Sequence, residues 1–356
     1  MNSKHPPSWR TLDNAAKIFP STGSAYDSKV FRFVCELQDP VEPQLLQDAL
    51  DKTLERFPMY RSVMKRGWFW YYLEDSPLSA RIASEELPPC YTIYPSVRCS
   101  LLFRVLHFRR RISLEVHHVL TDGTGALHFL CTLVYEYLLL RYEDEFSDPL
   151  PALPYDAAWA QRQVDSFQKY YEKPSGRSVH LSPAAYQFRG ERLPRRQLAV
   201  LEGRMPLDEV LACARARDAT LTELMTAVFL RAIHDGMRVR DRRKPVVIAV
   251  PVNLRNFFPS ESARNFFATI NVGYDFSKGE DSLEAVLAQV KRSFQASLTE
   301  ERMRDHMNAL CSLEHSVPLR LVPLRLKDVI LLAANRLTAR GVTASFSNIG
   351  KVSMPK

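Results

Sequence analysis

The residue types and spacing most suited to chemistry lie in His117-His118-Val119-Leu120-Thr121-Asp122-Gly123. Two imidazoles, a carboxylate and a glycine fall within one heptad. An apolar run leads into it and an amphipathic helical run leads out, so it is read as a strand-to-helix turn. Such a turn holds a reactive side chain on rigid elements and leaves it open at the bend. Successive side chains of a strand point to opposite faces. Ile112, Leu114, Val116 and His118 then share one face, and Arg111, Ser113, Glu115 and His117 the other. On the apolar face His118 is partly desolvated, which favours the neutral imidazole that can take a proton near pH 7. His118 is therefore the expected general base, and His117 is expected to be structural.

Asp122 has two alternative roles. It can orient the imidazole four residues before it, or it can find a cation elsewhere and fix the loop. A buried carboxylate needs such a partner, and Arg255, at the end of the apolar run 246–252, is the best candidate. Gly123 supplies backbone freedom and open space beside the base. A metal site is not expected. Adjacent histidines on a strand cannot both turn to one ion, no HExxH spacing occurs, and the six cysteines are scattered without a CxxC pair. No GxSxG elbow and no glycine-rich phosphate loop is present.

The elements that must position the heptad follow from periodicity. Strands are expected at 30–37, 97–108, 111–118, 186–189, 197–202, 246–252, 265–276 and 342–348, with a hairpin over 61–73 turning at Arg66-Gly67. Helices are expected from Pro43 to before Pro58, and over 124–142, 206–217, 222–235, 282–298 and 326–338. Proline-punctuated sequence over 151–182, with a polar helix near 157–172, separates a first part, 1–150, from a second, 183–356. The fold class is α+β.

Composition sets the outer limits. The chain has 356 residues, 46% hydrophobic and 25% charged, as ordinary globular proteins do. No apolar stretch of signal-peptide or membrane-spanning length stands out, so a cytoplasmic protein with no transmembrane segment is expected. The net charge is +8, with basic clusters at 109–111, 192–196 and 238–244. No nucleic-acid-binding signature accompanies them, so no nucleic-acid partner is expected.

The heptad matches HHxxxDG, and on it the chain resembles the superfamily of chloramphenicol acetyltransferase, nonribosomal peptide condensation domains and alcohol acetyltransferases. It is most similar to bacterial alcohol-acetyltransferase-like proteins. WRTLDNAAKIFPS, RFPMYRSVMKRGWFWYYLED, PVNLRNFFPS and SNIGKVSMP read like the same group. The resemblance implies two similar lobes with a tunnel between them, where an acyl donor and an acceptor meet at His118. It implies that Asp122 forms a salt bridge with an arginine, the position that Arg255 fits. It also implies that Gly123 keeps the tunnel open and that Ser347 and Asn348 lie near it. His117, Gly123, Ser347 and Asn348 are thus the expected substrate-side residues. The implied reaction moves an acyl group, acetyl above all, from a coenzyme A thioester to a small alcohol or amine. Acyl-CoA is a co-substrate there, and no cofactor is bound. The basic clusters would suit its phosphates. Condensation on carrier-protein thioesters and a catalytically silent binding scaffold are the alternatives. Similar proteins continue beyond the SNIG segment, so a second lobe short of its last strands is expected.

Overall fold

The computed structural model describes residues 8–94, 99–146, 153, 165–172, 183–260, 262–315 and 320–354. Its organising feature is two apolar cores, each backed by sheet and helix. The first begins with β1 (Trp9–Thr11), the short helix α1 (Phe19–Thr22) and β2 (Val30–Glu36). Helix α2 (Pro43–Arg56) starts on a proline, whose missing N–H costs nothing in a first turn. It stops before Pro58 and buries Leu46, Ala49, Leu50, Thr53 and Leu54, one helical face.

Strands β3 (Ser62–Arg66) and β4 (Tyr71–Asp75) form the hairpin, and β1 adds to β4. A Cβ on Gly67 would lie 2.6 Å from the Trp70 carbonyl oxygen, so the turn requires glycine. Strand β5 (Ala83–Ser84) runs parallel to β6 (Phe103–Phe108), which pairs antiparallel with β7 (Arg111–His117). β2 closes the other side of β7, with Val30 opposite His117. Helix α3 (Gly123–Arg141) leaves the heptad and packs on α2. Tyr60 stacks on Phe129 at 4.0 Å between ring centroids, with Phe57 and Phe103 edge-on around them. By length and composition α3 could cross a membrane, but half of it is buried in this core.

Both faces of β7 are buried. Ile112, Leu114 and Val116 enter the apolar core. On the opposite face Glu115 is 0% exposed and is held by Arg32 and Arg104, while the Ser113 hydroxyl donates to Glu85. The charges there are paired, as burial demands.

In the second part α4 (Ser166–Lys169) precedes α5 (Leu207–Arg215) and α6 (Leu221–Asp235), the last opened by a Thr220–Glu223 capping box. Strand β8 (Val246–Asn253) pairs antiparallel with β9 (Phe267–Tyr274) along its whole length. Helices α7 (Leu283–Ser297), α8 (Glu300–His315) and α9 (Leu324–Ala339) follow, and β10 (Ala344–Ser345) runs parallel to β8. α9 reaches back to the β3–β4 turn. The buried Lys327 ammonium donates to the Phe69 carbonyl at 2.9 Å and covers the Trp70 ring.

Several sequence expectations need correction. Tyr186–Arg189 and Gln197–Glu202 form no strand. Tyr186 N–H bonds the Pro245 carbonyl at 2.8 Å, but the charged, proline-interrupted residues after it lie exposed without a ladder. The strand expected over 342–348 shrinks to β10, because only Thr343 to Phe346 reach β8. Residues 97–98 and 157–164 lie outside the described residues. α8 was not expected.

Candidate active site

The heptad sits where the two parts meet. β7 ends at His117, whose N–H bonds the Leu102 carbonyl at 2.8 Å. The next N–H, that of His118, bonds the Lys29 carbonyl at 2.8 Å, and the chain then turns over 118–120. His117 is buried, and its Nδ1 accepts the Val119 N–H at 3.2 Å. Accepting there puts the ring proton on Nε2 and fastens the turn. Burial, then the neighbouring His118, lowers its pKa from 6.5 to about 4.

His118 falls past the end of the ladder, so strand alternation does not set its direction. Aromatic packing does: the ring lies 4.4 Å from Phe31, 5.0 Å from Phe19 and 6.5 Å from Phe267, centroid to centroid. Burial pushes its pKa down to about 4, against an opposing pull from Asp122 and a weaker one from the Thr121 backbone. Nδ1 is sealed from solvent and, among the described residues, has no partner in full hydrogen-bonding geometry. The residue as a whole is only partly buried, and Nε2 is not sealed in the same way.

Asp122 is the N-cap of α3, and both its oxygens are engaged. Oδ1 accepts the Gly125 N–H at 3.0 Å. Oδ2 accepts Arg255 Nη1 at 2.8 Å and the Phe266 N–H at 2.9 Å. Among the described residues none of its hydrogen bonds goes to the His118 ring. Arg255 follows β8 in a turn capped by Asn253, whose side chain accepts the Arg255 N–H at 3.0 Å. Its other donors go to the carbonyls of Ser262 and Arg264, at 2.7 and 2.6 Å from Nη2. The structure thus brings Asp122 and Arg255 together across the two parts.

Besides Arg255, the second part meets the heptad through a continuous segment, 263–267. The Ala263 carbonyl accepts the Thr121 hydroxyl. Arg264 lies 3.8 Å from the Asp13 carboxylate. Asn265 Nδ2 donates to Asp13 Oδ2 at 3.1 Å and to the His118 carbonyl at 3.0 Å. Phe266 binds Asp122 through its N–H, and Phe267 faces the His118 ring. Asp13 is fully enclosed, and burial raises its pKa from 3.8 to about 6 despite Arg264. Sequence reading missed Asp13 and Asn265. Asn265, a polar residue directly before the apolar Phe266-Phe267-Ala268, was the available signal.

Two glycines of the turn meet different surroundings. A Cβ on Gly123 would meet only Phe33, at 3.8 Å, so that position is open. A Cβ on Gly125 would overlap Thr121 Oγ1 and the Ala263 carbonyl, so Gly125 is the glycine that lets the two parts close. Ser347 and Asn348 are exposed beyond β10. Asn348 donates to Thr222 at 2.9 Å at the start of α6, and among the described residues neither is bonded to the heptad.

The basic clusters also separate. Asp241 pairs with Lys244 at 3.2 Å and with Arg240 at 3.9 Å within 238–244. Arg192 and Arg196 lie over Tyr26 and Tyr91, each at 5.7 Å. Beside them a cleft of about 490 Å³ is lined by Ala25, Pro88, Tyr91, Arg195, Arg196 and Gln197.

No family model matches the chain, and no curated protein does. Solved structures do. F. sporotrichioides TRI101, complexed with coenzyme A and T-2, shares 12% identity at a TM-score of 0.61, over 97% of this chain and 84% of that one. Polyketide synthase associated protein 5 from Mycobacterium tuberculosis shares 16% at 0.54, over 84% and 76%. The first condensation domain of the calcium-dependent antibiotic synthetase shares 19% at 0.52, over 87% and 78%. At such identities the likeness is one of fold. The chain has the α+β, two-lobed fold of these acyltransferase and condensation-domain structures.

Proposed function

We propose that the protein transfers an acyl group, acetyl first of all, from a coenzyme A thioester to the hydroxyl or amine of a small acceptor. The observation that carries the reading is the state of His118. Its imidazole is kept neutral by burial, with Nδ1 sealed, at a turn fastened by both lobes. His118 Nε2 takes the acceptor proton as the acceptor oxygen or nitrogen bonds to the thioester carbonyl carbon. The carbon–sulfur bond then breaks and the proton passes to the leaving sulfur, with no acyl-enzyme. Asp122 and Arg255 hold the turn, and Gly123 leaves room beside it. His117 and the Ser347–Asn348 segment are assigned to the walls of the substrate space.

A coenzyme A donor agrees with TRI101, solved with coenzyme A, as a fold neighbour. The likeness to a condensation domain supports a second donor class, a thioester on a carrier protein. The six free cysteines agree with a reducing cytoplasm. The test is thiol release from acetyl-CoA, and from an acetylated carrier protein, across a panel of alcohols and amines. Acceptor-dependent release with no acyl adduct on the protein by mass spectrometry is expected. A stable acyl-protein intermediate that turns over would overturn the direct mechanism.

A further inference from the structure

We propose that Asn265 is a positioning residue for His118, contributed by the opposite lobe; this rests on His118 being the base. The His118 peptide is held at two points. Its N–H is taken by the Lys29 carbonyl within the first lobe, and its carbonyl is taken by Asn265 Nδ2 at 3.0 Å from the second. The same Nδ2 donates to Asp13 Oδ2 at 3.1 Å. A carbonyl and a carboxylate both accept, which fixes the amide with nitrogen toward them. Asn265 Oδ1 is then left buried without a partner among the described residues, in a residue 1% exposed. Stability alone does not favour an orphaned acceptor in a core. What the amide does accomplish is to tie three separated pieces of chain at one atom: the N-terminal segment at Asp13, the base at His118, and the segment after β8. The neighbouring Phe267 ring faces the imidazole, so Asn265 sets the His118 backbone and the place of one wall of its ring together. Neutral imidazole is catalytically useful only in a fixed direction, and small misplacements are costly.

The test uses the full-length chain with Asn265→Ala and Asn265→Ser, the second retaining a donor. The His118 imidazole nitrogens are followed by 15N NMR, assigned by their loss in His118→Ala. Acyl transfer is measured beside them. In Asn265→Ala the His118 nitrogen shifts should move while melting stays cooperative. Turnover number should fall about tenfold or more with KM within about threefold, and the serine variant should recover part of the loss. Unchanged His118 shifts and unchanged turnover in a folded alanine variant would overturn the proposal. Should the alanine variant not fold, the serine variant decides by the same two readouts. Should the wild type transfer no acyl group, the imidazole shifts alone decide, and the failure then belongs to the proposed reaction and not to Asn265.

Discussion

Asp122 shows how one side chain is committed. Its carboxylate caps α3, binds Arg255 and holds the Phe266 N–H, and is 5% exposed. Removing one partner of a buried pair leaves the other charge uncompensated, typically at about 3–5 kcal/mol. Arg255→Ala should therefore lose stability in that range in urea denaturation. Asp122→Asn, which keeps shape and loses charge, should lose about 1–3 kcal/mol. Unchanged midpoints in both would show that the bridge does not hold the turn. The pairing was legible because a buried carboxylate demands a cation and PVNLR offered one. The Asp13–Asn265–His118 chain was not legible. It joins three segments far apart in sequence through a side-chain amide, and no local spacing encodes that.

At the scale of elements, the strand-turn-helix around the heptad was legible almost to the residue, since β7 alternates and α3 is a long apolar run opened by the Asp122 cap. What alternation could not supply was the direction of His118, because the ladder ends one residue earlier, with Val30 opposite His117. α8 was missed because its apolar residues are sparse. Met303, Met307 and Cys311 are its buried apolar residues among those described, one per turn in a charged sequence. The failed strands at 186–189 and 197–202 have β-forming residues but pair with no strand among the described residues. The seam between lobes makes its own prediction. Gly125→Ala drives a methyl into Thr121 and the Ala263 carbonyl and should cost about 1–3 kcal/mol or more by thermal melting. Gly123→Ala meets only Phe33 and should stay within about 0.5 kcal/mol. Equal melting of the two variants would refute the assignment of Gly125 to the seam.

For the whole molecule, pH stability follows from which groups are buried. His117 and His118 each have a folded pKa near 4 against an ordinary 6.5. Between those values the unfolded chain binds protons that the native chain does not, so stability falls as pH drops from 6.5 toward 4. The slope is at most about 1.4 kcal/mol per pH unit for each ring. Asp13 works oppositely. Its folded pKa near 6 exceeds 3.8, so the native state holds the extra proton, and this contribution grows as pH falls from 6 to 4. Asp13→Asn should therefore steepen the acid loss of melting temperature relative to wild type, and His117→Gln should flatten it. The reverse ordering would contradict the burial assigned to these groups.

The central claim is that His118 moves the proton in direct acyl transfer between the lobes. The measurement that tests it most directly is the steady-state rate of thiol release from acetyl-CoA, with one verified acceptor, for wild type and a folded His118→Ala variant. General-base help is typically worth about 10²- to 10⁴-fold, and a fall of that size is predicted. A variant that keeps the wild-type rate on the same acceptor would contradict the account.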